Sequence, residues 1–66
     1  MAVHKEVTIT ATSPESWEAA ALAAVDRTET SVEHLQWAVV QDQSLELSAD
    51  GGHRYKTKVK IGFEVE

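Results

Sequence analysis

The chain has 66 residues, a net charge of −5 and no cysteine, which excludes disulfides and thiolate-bound metal clusters as sources of stability. This length predicts one domain, residues 1–66, close to the lower limit for independent folding. The acidic balance argues against non-specific binding to nucleic acid. The polar N-terminus and the lack of a long apolar run predict neither a signal peptide nor a membrane-spanning helix, so we expect a cytoplasmic protein.

The first half of the chain predicts a strand followed by a helix. Apolar and polar residues alternate over residues 3–10, which is typical of a half-buried strand. A helix is predicted to begin at Pro14, because Ser13 is a favoured N-cap residue and proline is tolerated at the first helical position. The helix continues to about Ser31, and its alanine-rich apolar stripe allows close approach to a sheet, with Trp17 as a bulky anchor. The stripe consists of Trp17, Ala20, Ala21, Ala24, Val25, Thr28 and Val32.

The second half predicts two long strands, residues 34–47 and 53–66, joined by a turn. Asp50-Gly51-Gly52 provides positive φ at little cost and favours an antiparallel hairpin. The second of these strands alternates regularly from Tyr55 to Val65. The first has less regular alternation: one parity contains Leu35, Trp37, Val39, Leu45 and Leu47, interrupted by Gln41 and Gln43.

The order β-α-β-β predicts a three-stranded sheet that covers one side of a single helix. A right-handed crossover makes the first two strands parallel, and the third strand fits between them, antiparallel to both. Each hairpin arm would span about 40 Å, whereas a compact chain of this length is only about 22 Å across. The apolar ends of the arms therefore need partners, and further copies of the same chain are the economical choice.

The polar residues predict no enzyme. His4, His34 and His53 form no metal-spaced pair, and the chain has no phosphate loop or zinc motif. The sequence does offer oxygen ligands for a divalent cation, because one carboxylate from each subunit would be enough to bind a cation at a symmetry axis. The candidates are Glu15, Asp26, Asp42 and Glu46.

Two features of the hairpin each allow two interpretations. Trp37 shares a parity with Leu35 and Val39, which is the pattern of a core tryptophan, but its indole could equally stack on a planar ligand or on a symmetry mate. The lysines at 56, 58 and 60 fall on one strand face. They form either a solvated face that discourages edge pairing or a basic lining for an anionic ligand.

Several segments together resemble the dodecins, a family of small flavin-binding proteins, over about residues 4–65. They are Thr12-Ser13 before the alanine-rich helix, His34-Leu35-Gln36-Trp37, Tyr55-Lys56-Thr57-Lys58-Val59 and Gly62-Phe63-Glu64. The resemblance implies an α+β fold with an antiparallel sheet wrapped around one helix. It also implies a hollow homododecamer that stores flavins in pairs between tryptophans of adjacent subunits and quenches their excited states.

The resemblance also implies site residues and a cofactor, either riboflavin or FMN. Trp37 stands where the stacking tryptophan stands, and Lys56, Glu46 and Gln36 would provide polar contacts. Two residues depart from the flavin-binding pattern: Lys56 replaces the usual glutamine, and Val39 replaces a common glutamate.

The helix start with Trp17 looks like a calcium-dodecin branch, whose members lack the flavin tryptophan and carry a basic residue at the position of Lys56. The leading hypothesis is a flavin-binding dodecamer. The alternatives are a dodecamer that binds calcium or another divalent cation, and an assembly with no small ligand.

Overall fold

The computed structural model describes residues 1–65, whose elements have the predicted order and topology. They are β1 (His4–Ser13), α1 (Trp17–Glu29), β2 (Leu35–Leu47) and β3 (His53–Glu64). The sheet order is β1-β3-β2, with β3 antiparallel to both neighbours. This confirms the α+β class and the central position of the last strand. The predicted extension of that strand to Glu66 lies outside the described residues.

The predicted start of the helix at Pro14 is wrong by three residues. β1 continues to Ser13, whose hydroxyl oxygen accepts the Glu15 N–H at 3.1 Å. The N-cap is Ser16, whose hydroxyl oxygen accepts the Ala19 N–H at 2.9 Å. The two serines thus accept one backbone N–H before the helix and one in its first turn, and the second of them caps the helix.

The core lies between α1 and the middle of β3. Ala20 and Ala24 of the helix are buried, as are Val59 and Ile61 of the strand. Small alanine side chains let the helix lie close to the sheet, as the apolar stripe predicts. The buried hydroxyl of Thr57 donates to the Trp17 carbonyl at 2.9 Å, so the first turn of α1 is also tied to β3.

Trp17 anchors the helix at its N-terminal end. Its indole N–H donates to the Ser44 carbonyl of β2 at 3.0 Å, and its ring makes an edge contact with Tyr55 at a centroid distance of 4.9 Å. The side chain is half-buried. The predicted role of Trp17 as a bulky anchor is confirmed.

The turn between β2 and β3 forms as the glycines predict. Gly51 has a φ of +90°. The Asp50 carboxylate accepts the Ser48 hydroxyl at 2.7 Å and the Gly52 N–H at 3.0 Å. These two hydrogen bonds, the first more strongly, hold the pKa of Asp50 below its ordinary value.

The hairpin extends well beyond the part of the sheet that the helix covers. The described chain measures 51 × 20 × 15 Å, and its radius of gyration of 13.5 Å exceeds the value of about 11 Å for a compact chain of this length. After Leu35, every residue of β2 is exposed, including Val40, Leu45 and Leu47. Within the described residues, no helix is long and apolar enough to cross a membrane.

The exposed apolar strand predicts self-association. Sedimentation velocity at micromolar concentration should show a species several times heavier than the 7.3 kDa chain. A Leu47→Lys change places a charge on the exposed arm and should shift the distribution to smaller species, whereas Ala23→Lys on the exposed surface of α1 should not. A 7.3 kDa monomer of the unsubstituted chain would contradict the expectation.

Candidate functional site

Trp37 lies on the face of the sheet turned away from α1, here called the outer face. Its register partner on β3 is Gly62, whereas the next residue, Ala38, pairs with Ile61 of the core. Successive strand residues point to opposite faces, so Trp37 points away from the core. Its side chain remains 39% exposed. The interpretation of Trp37 as a core residue of this chain is therefore wrong.

A bulge at the start of β2 places Trp37 on this face. The register shifts between Leu35 and Trp37, so Gln36 is an extra residue. Leu35 packs against the core, and Trp37 faces the other way although it has the same parity. A second register shift, between Val40 and Asp42, places the later odd-numbered residues of β2, such as Leu45, on the helix side of the sheet again.

The indole of Trp37 lies directly over the backbone of Gly62. A Cβ placed on this glycine would overlap the six-membered part of the indole ring and its nitrogen. On the other side of β3, the His4 ring of β1 approaches Trp37 at a centroid distance of 4.8 Å, with the rings tilted by 55°. The glycine leaves free the space that the indole occupies. Trp37 is thus held by a backbone surface and by His4, with much of the indole still open.

Gln36 lines an open pocket of about 240 Å³ between the end of α1 and the start of β2. Val25 and Glu29 of the helix and Leu35 of the strand also border it. Ligand cavities in proteins are commonly about 300–1,000 Å³, so this pocket is small for a complete ligand.

Lys56 and Glu46 lie towards the opposite end of the outer face from Trp37. Lys56 precedes Gly62 by six residues along β3, which is roughly 20 Å at the rise of an extended strand. Glu46 pairs with Arg54, still closer to the turn. One copy of the chain therefore does not bring Trp37 together with Lys56 and Glu46. It brings together only Trp37 and Gln36 of the four predicted site residues.

The basic residues of β3 have different neighbours on the outer face. Lys58 lies opposite Asp42, and Arg54 lies opposite Glu46, so these two cations face carboxylates across the strands. Lys56 lies between Thr12 and Ser44 and is half-buried. Its immediate cross-strand neighbours are thus uncharged hydroxyl residues, which leave its ammonium group available to a ligand.

The carboxylates predicted as cation ligands are dispersed over the fold. Glu15 precedes α1, Asp26 lies on the helix, and Asp42 and Glu46 lie on β2. Among residues 1–65, no three His, Cys, Asp or Glu side chains come close enough together to hold a metal ion. A cation site built from these carboxylates would need more than one copy of the chain.

Gly62 and His4 are the site residues that the sequence predictions missed. A glycine inside a regular strand is a recognised sign of close approach by another group, so Gly62 could have been found. The contact of His4 with Trp37 depends on the strand order and on the bulge in β2, and no local pattern around His4 indicates it.

These features define a class: a small α+β protein whose long hairpin projects beyond its helix and presents a tryptophan on the outer face of the sheet. The chain belongs to the dodecin family, because the dodecin family model matches residues 3–66.

Individual relatives agree with this assignment. The calcium dodecin of Mycobacterium tuberculosis is 37% identical over 65 residues, covering 98% of this chain and 92% of that protein. The dodecin of Thermus thermophilus is 33% identical over 64 residues, covering 97% of this chain and 93% of that protein.

Solved structures agree in fold as well. A Thermus thermophilus crystal structure, 32% identical, superposes with a TM-score of 0.90 and covers all of this chain and 97% of its own. The crystal structure of the M. tuberculosis calcium dodecin, described as calcium-chelating with a novel calcium-binding site, gives 0.89 at 36% identity. That match covers 97% of this chain and 91% of the other. The relatives thus include both a dodecin and a calcium dodecin.

The close packing of Trp37 on Gly62 leads to a stability prediction. Gly62→Ala should destabilise the protein by about 1–3 kcal/mol, because the added methyl group overlaps the indole and forces it to move. The same substitution in a Trp37→Ala background should cost much less. Thermal unfolding of the four proteins of this double-mutant cycle measures the coupling. Equal costs in the two backgrounds would show that the indole does not lie on Gly62 in solution.

Proposed function

We propose that this protein is a non-enzymatic flavin-binding protein that stacks the isoalloxazine ring of riboflavin or FMN on Trp37. The observation that carries the proposal is the placement of this indole: it lies over a glycine backbone, outside the core, and Trp37 remains 39% exposed. A large exposed aromatic surface that is held in place suits a planar aromatic ligand, because little conformational freedom is lost on binding.

The same stacking would serve a storage or buffering role. A flavin in van der Waals contact with an indole can accept an electron from it after excitation. The charge then recombines, so the excited state is quenched before photochemistry occurs. No acid, base or nucleophile is required of the protein, in agreement with the lack of a catalytic constellation in the sequence.

The polar contacts of the proposed site would come from more than one copy of the chain. Gln36 neighbours Trp37, but Lys56 and Glu46 lie roughly 20 Å or more away along the sheet. In the homododecamer that the family resemblance implies, the Lys56 end of one copy would have to lie near the Trp37 end of another for these residues to share one site. The exposed apolar residues of β2 support assembly of this kind.

Lys56 would determine which polar groups of the flavin can form hydrogen bonds in the site. Its ammonium group donates hydrogen bonds and accepts none, so it can satisfy a flavin carbonyl but not the ring N–H. A neighbouring Glu46 carboxylate could accept from that N–H. Lys56 would then donate to the flavin carbonyl and Glu46 would accept from the ring N–H, the two hydrogen bonds that a single glutamine amide can make alone.

The primary test is a fluorescence titration of ligand-stripped protein with riboflavin and with FMN. We expect strong quenching that saturates near one flavin per subunit. Trp37→Ala should weaken binding at least about fivefold, since stacking of a planar ring on an aromatic side chain contributes on the order of 1–3 kcal/mol. Trp17→Phe, which removes the other tryptophan on the opposite side of the sheet, should bind as the unsubstituted protein does. Unchanged affinity in Trp37→Ala would reject the stacking site.

A calcium-binding or other divalent-cation function is the second candidate. It is favoured by the similarity to the M. tuberculosis calcium dodecin and by Asp42 and Glu46 on the exposed outer face. In one copy these carboxylates face Lys58 and Arg54, so a cation would have to compete with those side chains. Copies related by symmetry would have to supply the remaining ligands.

Lys56→Gln distinguishes the two candidates. For a flavin site, one neutral glutamine amide can donate to the carbonyl and accept from the ring N–H without the cost of desolvating an ammonium group, and should raise riboflavin affinity by about threefold to tenfold. Lys58→Gln is the matched control on the same strand face and should have little effect. Calorimetric titrations with riboflavin and with Ca²⁺ should be performed on all three proteins. Calcium binding without flavin binding, unaffected by Lys56→Gln, would favour the cation function instead.

A further inference from the structure

The contact between His4 and Trp37 suggests a role that neither the family match nor the stacking site assigns. The two residues come from strands that are not neighbours, β1 and β2, and their rings contact each other across β3, where Trp37 lies over Gly62. The imidazole centroid is 4.8 Å from that of the indole, at a tilt of 55°. A Cβ at position 62 would overlap the Trp37 ring, so this placement of the indole beside His4 depends on the glycine.

We propose that His4 is a positioning residue for Trp37 whose protonation weakens flavin stacking, so that flavin affinity falls as the pH drops. This inference rests on the proposed flavin site. Imidazole is the side chain that ordinarily changes charge between pH 5 and 8. As a neutral ring His4 supports the indole through an aromatic contact. When protonated, His4 makes a cation–π interaction that polarises the π electrons of the same indole towards the imidazolium.

The consequence for flavin binding follows from the electronics of the stack. Isoalloxazine is an electron-poor ring, and it stacks best on an electron-rich partner. A cation bound to one part of the indole lowers the electron density available to the flavin and makes the indole harder to oxidise. Flavin binding and quenching therefore both favour neutral His4. By reciprocity, binding of the flavin must release protons from the protein in the range where His4 titrates.

Three charged residues lie near His4 on the outer face of the sheet. Glu64 is its register partner on β3, and Glu6 is the next residue of β1 on the same face. Lys60 lies further along β3 on that face. At the start of β2, His34 contributes its backbone carbonyl to the Glu64 N–H and pairs its own ring with Glu33 at 3.7 Å.

The test uses riboflavin, which has no phosphate that would titrate in the same range. Titrations at pH 5.5 and pH 8.0 should show affinity about threefold to tenfold weaker at the lower pH. His4→Phe keeps an aromatic ring beside Trp37 but carries no charge, so its affinity should be the same at both values. His53→Phe is the control: His53 contacts Tyr55 at the far end of the hairpin, and this variant should keep the pH dependence.

A second measurement needs no flavin. In a Trp17→Phe background, excitation selective for tryptophan reports Trp37 alone, and its fluorescence should decrease on acidification because an adjacent imidazolium quenches indole. His4→Phe should remove this change. A pH-independent emission would overturn the contact in solution and the proposal with it.

The outcomes separate the two proposals. Riboflavin binding that does not vary with pH, or that varies equally in His4→Phe, would overturn the role of His4 and leave the flavin site intact. No riboflavin quenching at either pH would overturn the flavin site, and with it the regulation proposed here, even if the emission of Trp37 still responded to His4.

Discussion

The β2–β3 hairpin is longer than the helix that should cover it, and most other features of the chain depend on this mismatch. Thirteen helical residues extend over about 20 Å, whereas thirteen strand residues extend over about 43 Å. The helix is anchored at both ends of its own short range, by Trp17 near the turn and by the core around Ile61. The sheet beyond this range has no cover within the chain. Exposed Val40, Leu45 and Leu47 are the result.

A single chain of this size cannot bury such a strand without a larger core. Apolar surface left in water costs about 25 cal/mol per Å², so several exposed large side chains amount to a strong drive for association. The central strand shows the contrast. β3 has neighbours on both edges and α1 on one face, and it contributes Thr57, Val59 and Ile61 to the buried set. β2 has one neighbour and almost no helix cover.

The periodicities of the sequence were sufficient for the element order, the sheet topology and the buried stripe of the helix. They did not predict which face of the sheet each β2 residue occupies, because two bulges shift the register of that strand. Leu35, Trp37 and Leu45 share one parity, yet Trp37 faces away from the helix while the other two do not. Each register shift inserts one residue and reverses the side on which the following residues lie.

The second register shift occurs at Gln41, and the polar side chain at this position was the one feature of the apolar pattern that indicated it. The first shift, at Gln36, left no comparable trace. The orientation of Trp37 could therefore be suggested by family resemblance but not by alternation. The same applies to His4, whose contact crosses an intervening strand. Contacts of this kind depend on three strands at once, and no window along the sequence contains them.

The geometry of the outer face has a further consequence for how a ligand site can be built. Trp37 and Lys56 lie towards the two ends of one hairpin, roughly 20 Å apart, which is too far for both to contact one isoalloxazine ring in one copy. If both contribute to one flavin site, that site exists only in the assembly, and flavin affinity becomes linked to the association of the chains. The exposed strand that drives association and the exposed tryptophan that would bind the ligand lie on the same element. Assembly would then create the site from surfaces that have no function in the isolated chain.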